Sequence, residues 1–474
     1  MSSFDYDRTA EFNGGTIIIN GTEVSEIPQS MMGGGMHGGM WGGRRRQKIL
    51  RNYSSEESVM NMKDKINILE NEYMVSLDKI WSQRKHLPEI KYFLDTEYTW
   101  AMNKTKPSVV ILGTGIPEEL VYASGEKPYW IIGGSLASTA WSDDEVPRDT
   151  DPVSRSILGF IHRTDGADFS DSLFIIPTVS DSMRKIAYQL NSEGRKICLV
   201  DIPPDHSERQ AEVKYQRQMF DMMKAIAEHT KSRITRGSVI SEAKRVSKAR
   251  YALMSFLKYS HDRPDIVPDT VRLLIQDSYY RTNHIDEWTY RLQMLTQKVA
   301  ELTKRFAYVG QNRPAVAVMG SPIVFPNYKI PFLINDVGLN MTEVIDSSLL
   351  KQYLIYSAED LHSSRDRLIK SIASAWYRRD ASSSFVKNDA VYRYASWLVQ
   401  QRNIEGVVYH VLKGQIEQDF ELERFEALFA EYCIPVFRLE TDYQYQDIEQ
   451  LRIRLEAFSE MLTQNRYKEV KQAK

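Results

Sequence analysis

Short apolar runs that close on glycine or proline turns, each followed by a stretch of helical periodicity, recur in two blocks of this chain. In the first block Ser108 to Leu112 ends on Gly113-Thr-Gly115. Pro117, Glu118 and Glu119 then supply helix-start chemistry, and Gly125 supplies a stop. Tyr129 to Ile132 and Ser172 to Ile176 are further runs. A helix from about Asp181 to Asn191 leads to Lys196 to Val200. The second block repeats the alternation: Ala315 to Met319 entering a Gly320-Ser-Pro turn, then Gly406 to Leu412, then Pro435 to Leu439. Runs this short and this apolar, separated by helices, predict parallel strands buried on both faces. The expected fold is therefore α/β: two doubly wound lobes, at 105–206 and 309–474. A helical connector at 207–308, broken near Gly237, Pro264 and Pro268, is expected to bridge them, with a helical segment at 55–100 before and a last helix from about Asp447 to Thr463. In such folds ligands sit beyond the carboxyl ends of the strands, here in a cleft between lobes.

Composition narrows the class. The 474 residues are 42% hydrophobic and 26% charged, enough for sizeable cores. A net charge of −2 gives no reason to expect nucleic acid. The polar, acidic start and the presence of only Cys198 and Cys433 predict a cytoplasmic protein. No apolar run reaches the ~18 residues of a membrane span. Residues 1–50 stand apart. Thr16 to Val24 predicts a hairpin on Asn20-Gly21. Met31 to Arg46 is a glycine- and methionine-rich run, expected to be a flexible arm. Met31, Met32, Met36, His37 and Met40 are soft donors suited to Cu(I), Arg44 to Arg46 are suited to phosphates, and Trp41 could anchor a partner chain.

Recognisable catalytic motifs are missing. There is no P-loop, H-E-x-x-H, C-x-x-C or G-x-S-x-G. Glu118 and Glu119 are candidates for acid/base work, or for complementing a helix dipole. His410 and Cys198 lie within predicted strands and read as packed core residues.

Several stretches together resemble the 2-hydroxyacyl-CoA dehydratase family, which includes benzoyl-CoA reductase subunits. They are Ile116 to Gly125, Pro147 to Gly159, Ile176 to Lys185 and Val200 to Pro204 in the first block. In the second they are Gly320 to Pro322, Gly406 to Gly414, Ile434 to Tyr443 and Arg454 to Leu462. The resemblance implies two flavodoxin-like lobes and a [4Fe–4S] cluster held in their cleft by three cysteines. It also implies pairing with a related subunit and dehydration of a 2-hydroxyacyl-CoA after one-electron activation.

At the three cysteine positions that the resemblance implies, this chain has Asp151, Ser180 and Gly414. None is a thiolate, which such clusters need. No cofactor and no resident metal are therefore expected. The first expectation is a structural or regulatory subunit, paired with itself or with a related dehydratase subunit, and retaining an acyl-CoA site. The alternative is an enzyme acting on a CoA thioester through altered cleft ligands, with Glu119 and Asp181 as catalytic candidates. A third is a dehydratase subunit whose cluster ligands lie elsewhere. Gly320, Ser321, Arg155 and Lys185, with Arg184 and Lys413, are the candidates for substrate contact.

Overall fold

The computed structural model describes strands 17–19 and 22–24 and then residues 62–472. Positions 85, 148, 164–165, 309–312, 347–353, 355, 357–363, 381 and 402 are left aside, as are the side chains of 62–64 and 467–472. Strands β1 (Ile17–Ile19) and β2 (Thr22–Val24) pair antiparallel, Ile19 opposite Thr22, as the Asn20-Gly21 signal requires. The copper, phosphate and partner readings of Met31 to Arg46 lie outside the described residues. Residues 60–474 form one compact unit.

Within that unit α1 (Met62–Ser82) and α2 (Lys91–Met102) precede the first lobe. The lobe contains β3 (Val109–Leu112), α3 (Glu118–Tyr122), β4 (Pro128–Ile131), α4 (Pro152–His162), β5 (Leu173–Pro177), α5 (Asp181–Ser192) and β6 (Lys196–Val200). All four strands are parallel, in the order β4-β3-β5-β6. The second lobe contains β7 (Ala315–Gly320), α10 (Lys329–Asp336), β8 (Asn340–Ile345), α11 (Arg365–Arg378), α12 (Asp389–Gln401), β9 (Gly406–Leu412), α13 (Glu417–Ala430), β10 (Val436–Thr441) and α14 (Ile448–Gln472). Its parallel order is β8-β7-β9-β10. Counted within each lobe, both orders are 2-1-3-4, the doubly wound flavodoxin-like arrangement. The apolar runs fill their strands: every residue of the central strands β3, β5 and β9, and of the edge strand β4, is buried. β6 and β10 lie at the sheet edges and are partly exposed.

Four helices connect the lobes: α6 (Ala211–Thr230), α7 (Arg236–Ser260), α8 (Asp269–Ser278) and α9 (Ile285–Arg305). The first break falls before Gly237. Lys231 closes α6 in the left-handed region and Thr235 caps α7, so Gly237 lies inside the first turn. α7 packs on α3 of the first lobe, and α8 packs on β8 and α10 of the second. Every residue of α8 is buried. The connector is thus a shared core, which explains why the lobes do not separate into independent units. Among the described residues, no helix is long and apolar enough to cross a membrane.

Candidate functional site

A doubly wound sheet opens a crevice where the crossovers diverge, at the carboxyl ends of its first and third strands. Both lobes aim that point at one cavity of about 90 Å³. Gly113 and Thr114 follow β3, and Val179 and Ser180 follow β5. Pro322 follows β7, and Gln415, Glu417 and Gln418 follow β9. Asp151, at the start of α4, and Asp380, Ser382 and Ser383, between α11 and α12, complete the wall.

Asp151 is the N-cap of α4, ahead of Pro152 at the first helical position. Its carboxylate accepts from Val153 N (3.2 Å), Ser154 N (3.1 Å) and Ser154 Oγ (2.7 Å). Such caps satisfy amides that a helix start otherwise leaves unpaired. A fourth bond crosses between lobes: Gln415 Nε2 donates to Asp151 Oδ1 at 2.7 Å. Burial pushes the Asp151 carboxyl up, against the pull of those hydrogen bonds. Asp151→Ala removes a cap and strands the Gln415 amide. We expect it to destabilise the chain by about 1–2 kcal/mol in denaturant unfolding.

Ser180 is the N-cap of α5, its hydroxyl accepting from Met183 N at 3.2 Å. Gly414 has φ +86°, and a Cβ there would stand 3.0 Å from Asp151 N and 3.1 Å from Asp149 O. Asp151 and Ser180 thus line the same cavity, and Gly414 of the second lobe lies against the backbone of Asp151. Their chemistry is a buried carboxylate, a hydroxyl engaged as a cap and a left-handed glycine at which a side chain would be strained and crowded. This set and this volume do not fit a [4Fe–4S] cluster. Cys198 lies on edge strand β6, its thiol pushed up to about 11 by burial. Cys433 lies exposed in the turn before β10.

The other candidates are dispersed. Glu119 does not line the cavity. With Glu118 it is buried against Arg250, at 2.7 Å from Glu118 and 2.8 Å from Glu119. Tyr279 and Tyr356 donate to the two carboxylates at 2.5 and 2.7 Å. Asp181 is exposed in the first turn of α5. Desolvation raises the Glu417 carboxyl, and the nearby negative charges of Asp151 and Asp181 raise it further. Gly320 ends β7 beside His410, and Ser321 Oγ accepts from Leu412 N at 2.8 Å, so both serve the second lobe's own backbone. Arg155 pairs with Asp143, Arg184 with Asp201 and Lys413 with Asp442, while Lys185 lies exposed on α5. His410 is packed as expected, bonded to Thr441 Oγ1 at 2.8 Å and pushed down to about 4 by burial.

Gln415, Glu417, Asp380, Ser382 and Ser383 escape sequence reasoning. Gln415 had one available signal, its place directly after Gly414. The turn at 380–383 carries none. Among the described residues, one set of three His, Cys, Asp or Glu side chains has its donor atoms close together: Glu145, His162 and Glu193, at the far end of α4. Asp151, Asp181 and Glu417 do not form such a set.

Two lobes of like topology, facing each other across a cleft at their switch points, define a class of two-lobed α/β protein. Sequence comparison makes the class specific. The profile of the family described as 2-hydroxyglutaryl-CoA dehydratase, D-component, matches residues 114–462, and the chain belongs to that family. It is 21% identical to the beta subunit of (R)-2-hydroxyglutaryl-CoA dehydratase from Acidaminococcus fermentans, across 75% of this chain and 93% of that one. It is 20% identical to the putative dehydratase subunit YjiM of Escherichia coli, across 77% and 95%. It is also 20% identical to the (R)-phenyllactyl-CoA dehydratase beta subunit of Clostridium sporogenes, across 73% and 89%.

Proposed function

We propose that this chain is a cluster-less subunit of a 2-hydroxyacyl-CoA dehydratase-type assembly, with a structural or regulatory role. The observation that supports it most is the hydrogen bond from Gln415 to Asp151. A position that should carry a metal-binding thiolate instead carries a carboxylate, and its lone pairs are committed to capping α4 and joining the lobes. Three positions without soft donors leave a small cavity with hard oxygen groups, of which Asp151 and Ser180 are already hydrogen-bonded. Two relatives are named as beta subunits, which supports a related subunit of the same family as the partner. An acyl-CoA, if retained by the assembly, would meet the open part of the cleft near Ser382, Ser383 and Glu417.

The test is anaerobic purification of the native complex. The expected result is this chain co-purifying with a cysteine-bearing relative or with a second copy of itself, while the isolated chain is colourless and iron-free. Stoichiometric iron and brown absorbance in the isolated chain would overturn the cluster-less reading. A strictly monomeric protein with no co-purifying chain would overturn the assembly role.

A further inference from the structure

Helix α1 carries two apolar faces. Leu69, Tyr73, Leu77 and Ile80 are buried in the main core. Ile68 and Val75 point elsewhere and are 44% and 59% exposed. They form one wall of a recess of about 390 Å³, within the range of small-molecule sites. Phe332 and Leu333 of α10 and Ile448 of α14 form the facing wall. The short 3₁₀ turn at Ala137–Trp141, with Leu136 before it, closes the end. The recess shares no lining residue with the interlobe cleft.

Its polar groups differ in how far they are already engaged. Glu72 accepts from Ser135 Oγ (2.6 Å), Leu136 N (2.8 Å) and Ala137 N (3.1 Å), so its carboxylate holds the 3₁₀ turn in place. The Lys329 ammonium donates to Asp442 O (2.9 Å), Gln444 O (2.5 Å) and Asp447 Oδ1 (3.1 Å). Lys79 is different. Its ammonium lies 4.2 Å from the Phe332 ring centroid and 3.6 Å from Asp336, with no described acceptor at hydrogen-bond distance. Arg452 reaches the same Asp336 at 3.7 Å and Glu449, outside the recess, at 3.3 Å. One carboxylate thus lies between two cations without closing on either. The mouth offers the open N–H groups of Lys79 above an apolar floor.

We propose that this recess binds an amphipathic monoanion of the size of a medium-chain carboxylate. Its apolar body lies between Val75, Phe332 and Ile448, and its carboxylate meets Lys79. Apolar walls supply affinity, and the cation fixes orientation. The inference does not depend on the cleft reading, since the two sites are built from different residues.

The test uses the full chain with octanoate, followed by calorimetry and thermal shift, and with octan-1-ol as the uncharged comparison. Octanoate is expected to bind and raise the melting temperature, and octan-1-ol to bind at least about tenfold more weakly. Val75→Trp, which fills the recess from an exposed position, is expected to abolish binding. Lys79→Gln is expected to weaken it by about tenfold. Absence of octanoate binding to the unaltered chain overturns the proposal, as does binding that both variants retain. A dimer that Val75→Trp dissociates, with no octanoate binding, would also overturn it by assigning the recess to a subunit contact.

Discussion

Arg250→Met is expected to be the most damaging single substitution in the connector, at about 3–5 kcal/mol of unfolding free energy. Arg250 is 1% exposed and stands between the equally buried Glu118 and Glu119. It also donates to Leu354 O at 3.0 Å, while its guanidinium lies 5.4 Å from the Trp376 ring centroid. Methionine matches its length and removes its charge, leaving two carboxylates in a low-dielectric interior. The further changes Glu118→Gln and Glu119→Gln should recover most of the loss. If urea unfolding shows the single variant within 1 kcal/mol of the unaltered chain, with about that margin of error, the ion network is not what holds α3 to α7.

The same burial fixes a direction of pH dependence. Desolvation raises the Glu119 carboxyl to about 7 despite Arg250, and the Glu97 carboxyl to about 8 despite Arg281. It raises Asp277 to about 7 despite hydrogen bonds from Tyr328 and Phe325 N. Each folded value lies above the ordinary carboxyl range, so the folded state holds these protons more tightly than the unfolded chain. Their contribution is complete below the unfolded values and is lost as pH rises through 7 to 8. Melting temperature should therefore fall between about pH 5 and about pH 8. Arg250→Met should steepen that fall, because it removes the charge that opposes the rise at Glu119.

Gly159→Ala should destabilise the protein by about 1–3 kcal/mol, although alanine in a helix interior normally gains about 1 kcal/mol over glycine. Gly159 lies in the middle of α4, where a Cβ would drive into the carbonyl of Ser138. That carbonyl has little freedom to yield. Ser138 Oγ is bonded to Ser135 O and Ser156 O, and Ser135 Oγ is held by Glu72. Unfolding by denaturant decides between the two signs: a more stable Gly159→Ala protein would mean that propensity outweighs packing here.

The lobes were legible because parallel strands buried on both faces leave a signal that survives without context. The apolar runs at 108–112, 172–176 and 406–412 fall on β3, β5 and β9. Helix ends were less legible where tertiary contacts set them. The last helix continues to Gln472 rather than ending near Thr463. The cleft was half legible. Asp151, Ser180 and Gly414 stand out only against a family pattern, since each is an ordinary loop or cap residue by itself. Glu119 shows the opposite failure. A carboxylate at a helix start suits both catalysis and structure, and only the distant Arg250, Tyr279 and Tyr356 decide which partners it finds. Those partners are far away in sequence, so no local window contains them.

The bond from Gln415 to Asp151 also has a mechanical meaning. Two lobes hinged on a helical core normally breathe, and a ligand entering between them depends on that motion. Here a strut spans the gap, seated on the rigid start of α4 on one side and the β9 turn on the other. Its rupture would cost a buried hydrogen bond to a charged group, about 1.5–3 kcal/mol. The strut therefore opposes opening of the two lobes. Under the proposed structural role, stiffness across the cleft is an asset, where a turnover cycle would need give.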